Sequence, residues 1–535
     1  MIAQNWESKA KIARDILEKS IKKEWLLPQE KLPSKDRLNV LSVAKESGIL
    51  SDAELLITET DATGLVEKMG VGEWTAEQVL IAFTKRATIG HQLLNFATEF
   101  MFDEALEEAK RLDAIYQKTG KVVGPLHGVP ISVKEMVHFK DRICHTAYVS
   151  WIDRVEKEDA LMIRNLKAAG ALFHVRTNEP QTVMHLDCNN NIYGRSLNPH
   201  NLNLTPGGSS GGEGASLGFK CAAIGIGSDI GGSIRAPAAF CGVYGLRPTM
   251  LRNPWKGVSL AGDGQESIRC TLGPLTNSLR DIDLFQKAVL DQEPWEEETN
   301  LVPIPWREVK TPKDLTVGIM WNDGVVQTHP PIKRALNHAE QRLKSAGVKT
   351  VDWQPFKHEQ GGEVTKSLLF PDGGTCIREA LEASGEPAMP LSEFALNYAK
   401  HLDIRENWEL NVKRDWFRDM SHKLMKERGV DVILCPTYVG AAAEHETAHY
   451  WLYTSIWNLF DQPGVVFPCG FNVDPALDPA DDKFQPLNDI DATEQKKYAP
   501  ERYTDAPLAY QLIGKHFRDE ELVANAKYLE SIISA

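Results

Sequence analysis

The chain has 535 residues, a net charge of −14, and 42% hydrophobic and 25% charged residues. This is the balance of a globular protein long enough to bury a large core. There is no basic stripe of the kind that holds nucleic acid, and no apolar run near the ~20 residues that cross a bilayer, so neither a nucleic-acid partner nor a transmembrane segment is expected.

Near the N-terminus, Trp6, Ala10, Ala13, Leu17 and Ile21 recur at helical spacing among charges. The stretch has neither the apolar core of a signal peptide nor the Arg-rich, acid-poor look of a transit peptide, and a cytoplasmic protein is expected. Residues 1–60 read as a helical extension broken at "LLPQEKLPSKDR", and 61–535 as one large domain.

Thr75 and Gln78 form a capping box ahead of Val79, Leu80, Phe83 and Ala87. Residues 103–116 make a second amphipathic helix, with Gly120 placed to close it in the left-handed conformation. In "GPLHGVPISVKEMV", Val129, Ile131 and Val133 alternate, which predicts a short strand with Ser132 and Lys134 on its opposite face.

"DALMIRNLKAAG" and "ALFHVRT" read as helix, Gly170, strand; "KCAAIGIGSD" and "GGSIRAPAAFCG" as strand, tight turn, helix beginning at Ser233. "DLTVGIMW" and "GVDVILCPT" are further β-branched strands, and the Pro/Asp-rich 470–505 reads as a long surface loop. The alternation predicts an α/β fold, a large mixed β-sheet core flanked on both faces by helices. The eight cysteines are scattered without a C-x-x-C pair, the pattern of buried thiols rather than a disulfide framework or metal site.

The most informative segment is "TPGGSSGGEGASLGFKCAAIGIGSDIGGSIRAP", residues 205–237. A flexible linker does not fit, because strand and helix signals flank the run and Asp229 and Arg235 lie inside it. A dinucleotide loop fits poorly: in "GIGSDIGG" the third glycine falls one place late and no G-K-[ST] follows. Residues 207–211 satisfy G-x-S-x-G, yet the nucleophile elbow requires a strand before it, and "SLNPHNLNLTPGG" is turn chemistry.

A serine nucleophile activated through a lysine, without histidine, explains more residues at once. Glycines in the turn Asp229-Ile230-Gly231-Gly232-Ser233 let consecutive N–H groups converge on one point, and a helix start beyond them adds its positive end. Those are the requirements of an oxyanion hole.

"GGSSGGEGA" followed by "GSDIGGSIRAPAAFCGVYGLRPT", with "HGVPISVKE" before them, resembles the amidase signature family. "TNEPQTVM", "NNNIYGRSLNPHN", "LGPLTNSLRDI" and "DAPLAYQLIGKHF" look like further family landmarks in family order, so the resemblance spans roughly residues 55–530. Within the family the chain is most similar to the fungal acetamidase branch, and it is related to the fatty acid amide hydrolases.

The resemblance implies the amidase signature fold and a serine amidohydrolase that needs no metal or organic cofactor. Ser233 matches the nucleophile, Ser209 the bridging serine held by a cis peptide, and Lys134 the base. The N–H groups of Ile230, Gly231, Gly232 and Ser233 match the oxyanion hole, and Val183 a backbone contact to substrate, with Met184 and His185 near the acyl pocket. Ser210, Asp229 and Arg235 are assigned to support of the turn.

Ser228 and Glu135 stand where the family usually has threonine and aspartate, and neither is expected to touch the triad. The implied partners are water and a small amide, such as acetamide, or a carbamate such as ethyl carbamate; longer-chain or aryl amides are the alternative. An amidotransferase subunit fits less well, since the chain is acidic and carries no basic tail. A homodimer or higher homo-oligomer is left open.

Overall fold

The computed structural model describes residues 6–310 and 314–534. Short apolar runs assemble into an eleven-stranded mixed sheet. In chain order the strands are β1 (Ala97–Phe100), β2 (Pro130–Lys134), β3 (Leu172–Thr177), β4 (Ile224–Asp229), β5 (Tyr244–Arg247) and β6 (Thr271–Thr276). They continue with β7 (Thr316–Ile319), β8 (Lys349–Asp352), β9 (Val432–Cys435), β10 (Gly464–Asn472) and β11 (Pro507–Ile513). Across the sheet the order is β1-β3-β2-β4-β6-β5-β10-β11-β9-β7-β8.

Two parallel blocks sit in this sheet, β3-β2-β4 and β9-β7-β8; the other neighbours are antiparallel. Parallel strands need crossovers, and helices supply them: Leu161–Ala168 from β2 to its neighbour β3, Gly211–Gly218 from β3 across β2 to β4. Every residue of β2, β3, β4, β6 and β11 is buried. Covered on both faces, such strands tolerate a polar side chain only where the fold gives it a partner. Ser132 and Lys134, expected on the face opposite Ile131 and Val133, are therefore inside the protein.

Local signals read from the sequence are formed. The Gln78 N–H donates to Thr75 Oγ1 at 3.1 Å and the Thr75 N–H to Gln78 Oε1 at 3.0 Å. Gly120 closes the helix Phe102–Thr119 at φ 65°. The helix Trp6–Ser20 lies along edge strand β1, and Ser20 Oγ accepts the Phe100 N–H at 3.0 Å, so an open sheet edge is covered. Leu17, Val40 and Val43 share a core cluster with Val175, Ala215 and Phe219, joining the first sixty residues to the main body.

Two expectations are corrected. Residues 470–505 are not a plain surface loop: they carry the helix Asp489–Gln495, and Asp478, fully buried, is clamped by Arg334 at 2.6 Å. The helix after β4 is Arg235–Phe240, so it begins two residues beyond Ser233. The run "LYTSIWNLF" forms the helix Leu452–Phe460 with every residue buried, its Thr454 and Asn458 hydrogen-bonded inside the core.

Candidate active site

β2 and β4 are parallel neighbours, with Ser132 level with Gly225 and Val133 with Ile226. Their C-terminal ends therefore meet at one edge, where open α/β sheets hold ligands. This brings Lys134, the last residue of β2, beside Ser228 and Asp229, the last two of β4. The third component arrives from the glycine run. The Gly208–Ser209 peptide is cis, and a Cβ on Gly208 would sit 2.2 Å from the Asp187 carbonyl oxygen, so only glycine lets the chain pass.

Lys134 Nζ donates to Ser209 Oγ at 2.7 Å and to Ser228 Oγ at 2.9 Å, with the lysine fully buried. The next residue ties this pair to Ser233: the Ser210 N–H donates to the Ser233 carbonyl at 3.2 Å. Ser210 Oγ takes the Ser228 N–H at 3.1 Å and donates to the Ser228 carbonyl at 3.3 Å, fastening the serine loop to β4. Ser228 thus touches Lys134 directly, contrary to the expectation from sequence. Thr in its place would bring the same hydroxyl, which is why the exchange looked silent.

The turn 229–233 is held from one side by a buried carboxylate. Asp229 Oδ1 accepts the Gly232 N–H at 2.9 Å and Oδ2 the Ile234 N–H at 3.2 Å. Gly231 is held through its carbonyl, which accepts from Thr454 Oγ1 at 2.7 Å. The Gly232 N–H is therefore already engaged. The N–H groups of Ile230, Gly231 and Ser233 have no acceptor among the described residues.

Val183 sits in a strained backbone: Thr182 and Val183 have φ of 68° and 59°, which β-branched residues rarely adopt. Such outliers cluster at ligand-binding positions. Met184 beside them and Ile230 from the turn line a common cavity of about 430 Å³, with Leu251, Ile268, Phe370 and Ile377 on its walls. His185 is not in that wall; its carbonyl oxygen packs against Gly208, and burial pushes its imidazole down to about 4.

Charge is placed by burial. Burial lowers the Lys134 ammonium from its ordinary value. Burial would raise Asp229, but Arg235 and Asn458 overcome it and hold the carboxyl at about 2. Glu213, which accepts from Ser132 Oγ at 2.5 Å and Thr177 Oγ1 at 2.7 Å, is pushed up to about 8 by burial. Glu135 does not pair with Lys134; it faces the other way, toward Arg176 Nη2 at 3.3 Å.

A model of the amidase family matches residues 78–523. The chain belongs to that family. A putative amidase of Schizosaccharomyces pombe is 43% identical over 94% of each chain, and an acetamidase of Emericella nidulans is 39% identical over 99% of this chain and 98% of its own. Among solved structures, a fatty acid amide hydrolase superposes with a TM-score of 0.97 at 40% identity, covering 99% of this chain and 96% of its own. The amidase signature fold with its mixed sheet and flanking helices is thus shared across the whole length. Among the described residues of this amidase, no helix is long and apolar enough to cross a membrane.

Proposed function

We propose that this amidase hydrolyses carboxylic amides through an acyl-enzyme on Ser233, with Ser209 relaying protons to Lys134. The observation that carries this reading is a fully buried lysine whose Nζ lies 2.7 Å from Ser209 Oγ, with the serine loop bonded to Ser233. A serine hydroxyl needs a base, and a lysine serves as one only when it is neutral. As an amine, Lys134 keeps a hydrogen on Ser228 and turns its lone pair to the Ser209 hydroxyl.

Ser209 gives its proton to Lys134 and takes that of Ser233 as Ser233 Oγ attacks the amide carbon. The oxygen charge develops against the N–H groups of Ile230, Gly231 and Ser233. Gly232, which the sequence placed among them, instead fixes the turn through Asp229. The proton then passes from Lys134 through Ser209 to the leaving nitrogen, the C–N bond breaks, and ammonia or an amine departs. Water repeats the sequence on the ester, and the acid leaves. No step uses a metal or organic cofactor.

Short aliphatic amides such as acetamide, and carbamates such as ethyl carbamate, are the first substrates to try, given the acetamidase relatives. A second reading, amides with longer aliphatic or aryl acyl groups, is favoured by the cavity of about 430 Å³, far larger than an acetyl group. Ammonia release from acetamide, hexanamide, benzamide and ethyl carbamate by wild type and Ser233→Ala tests both. Turnover that vanishes in the variant supports the reading, and the ranking sizes the acyl group. Turnover that survives in Ser233→Ala rejects Ser233 as nucleophile.

A further inference from the structure

Two carboxyl groups are buried behind Lys134, and the mechanism uses neither. Glu135, 1% exposed, is well supplied with donors: the N–H groups of His145 and Thr146, each at 2.9 Å, and Arg176 Nη2 at 3.3 Å. Glu179, two residues beyond β3, is as deeply buried, yet neither of its oxygens receives a hydrogen bond. At that depth an ionised carboxylate without a donor is not tolerated, and the group holds a proton instead.

The proton has an evident acceptor. Lys134 is level with Thr177 in the parallel pair β2–β3, and the Glu135 N–H donates to the Thr177 carbonyl at 3.1 Å, so Glu179, two residues on, is carried alongside Glu135. Two carboxyls in contact share one proton, and their other partners decide which keeps it. Glu135 has the guanidinium and two N–H donors, so it keeps the charge. Glu179 keeps the hydrogen and donates it.

We propose that Glu179 is a resident carboxylic acid hydrogen-bonded to the Glu135 carboxylate, and that this pair holds Lys134 in its neutral, basic form by denying it a carboxylate counter-ion. The inference rests on the reading of Lys134 as base. Glu135 and Glu179 are positioning residues: they act through Lys134 and touch no reacting atom.

The groups facing Lys134 support this. An ionised Glu179 would attract it most strongly, whereas the charge of Asp229 is matched by Arg235. The Cys188 and Cys270 thiols are each pushed up to about 12 by burial and stay uncharged, and Glu213 is neutral below about 8. On the far side, Arg176 and His145 face Glu135, and burial raises the Cys144 thiol and Tyr193 phenol beside them. Glu179 is therefore the carboxyl whose ionisation Lys134 would feel most, and its hydrogen bond to Glu135 keeps it neutral.

The test compares pH profiles of kcat/KM for wild type, Glu179→Gln, Glu135→Gln and the double variant. Turnover lost in Ser233→Ala and Lys134→Ala first secures the reading beneath it; turnover kept in Lys134→Ala defeats that reading and not the carboxyl pair. Glu179→Gln is expected to keep the acid limb at its wild-type position, whatever the plateau does. Glu135→Gln frees Glu179 to ionise against Lys134, and the limb moves to higher pH by about one unit, about tenfold in rate below it. The double variant returns the limb to its place.

A limb that drops to lower pH in Glu179→Gln would show Glu179 ionised in the wild type and overturn the proposal. So would an unmoved limb in Glu135→Gln, or a shift that persists in the double variant. Should Glu135→Gln not fold, infrared difference spectra of wild type against Glu179→Gln at neutral pH still decide. Loss of a protonated-carboxyl C=O band is expected, and its absence overturns the proposal.

Discussion

Arg235 and Asp229 form a two-point ion pair with both side chains fully buried, Nε to Oδ2 and Nη2 to Oδ1, each 3.0 Å. The remaining guanidinium hydrogens reach the Thr454 carbonyl, Gln511 Oε1 and Asn458 Oδ1 at 3.0, 2.8 and 2.7 Å. Five donors meet five acceptors, the condition under which a buried ion pair is tolerated. Arg235→Ala strands Asp229 without its counter-charge, and a stability loss of about 3–5 kcal/mol is expected. Arg235→Lys does not restore it, because an ammonium cannot supply the fork. Denaturant unfolding of the two variants checks this; a loss under about 1 kcal/mol in both would remove the pair as the anchor of the turn.

Activity should rise with pH through the titration of Lys134. Burial lowers this group from its ordinary 10.5, so the neutral base is present at lower pH than an exposed lysine would allow. Below that point the ammonium holds no lone pair for Ser209, and kcat/KM falls as protons are added. Lys134→Ala should lose about 10²–10⁴-fold, the usual worth of a general base. Steady-state rates against pH for wild type, with Lys134→Ala at the plateau, measure both.

Much of this was legible in residue order. Thr75, Gln78 and Gly120 announce their helix ends because caps are local chemistry, readable from a few adjacent residues. Lys134, Ser209 and Ser233 stand out in the sequence because their spacing and glycine setting match a known family. Ser228 escaped: its role depends on β4 lying beside β2, a contact between residues 94 apart in the chain. The helix Gly211–Gly218 escaped for the opposite reason. Its glycines argue against helix locally, yet a Cβ on Gly212 would meet the Asn178 backbone at 2.5 Å, so close packing outweighs propensity. Glu179 gave no signal either, since only the fold shows a carboxyl without donors.

Gly232 lies at φ 129°, and a Cβ there would fall 2.2 Å from Thr454 Oγ1. Gly232→Ala must therefore displace either the turn or Thr454, whose hydroxyl holds the Gly231 carbonyl at 2.7 Å. Either movement misaims the N–H groups of Ile230, Gly231 and Ser233. The loss expected is about 10²–10³ in kcat, that of one oxyanion donor. KM should change less, because the charge these groups hold forms only in the transition state. A rate within a few-fold of wild type would mean that this turn does not carry the oxyanion.

If the cavity beside Ile230 takes the acyl group as proposed, it predicts a selectivity change. Met184 and Ile230 stand at its wall, and Met184→Trp would fill part of the ~430 Å³ space. Amides with long or aryl acyl groups should lose about 10–200-fold in kcat/KM relative to acetamide, the range of discrimination that pocket volume affords. Equal losses for acetamide and benzamide would place the acyl group elsewhere.

Glu213 ties the first strands together and carries a pH signature of its own. Its carboxyl receives Ser132 Oγ and Thr177 Oγ1, bridging β2 and β3 from the helix Gly211–Gly218. Burial raises it from 4.5 to about 8, so the folded chain binds a proton there that the unfolded chain releases. The sign follows: the stability this group contributes is fully present below pH 4.5 and is lost as pH rises through about 8. Glu213→Gln keeps an acceptor and a donor but cannot ionise, so its melting temperature should fall less than that of wild type between pH 6 and 9. Thermal melts across that window measure the difference, and parallel curves would mean that Glu213 stays ionised inside the fold.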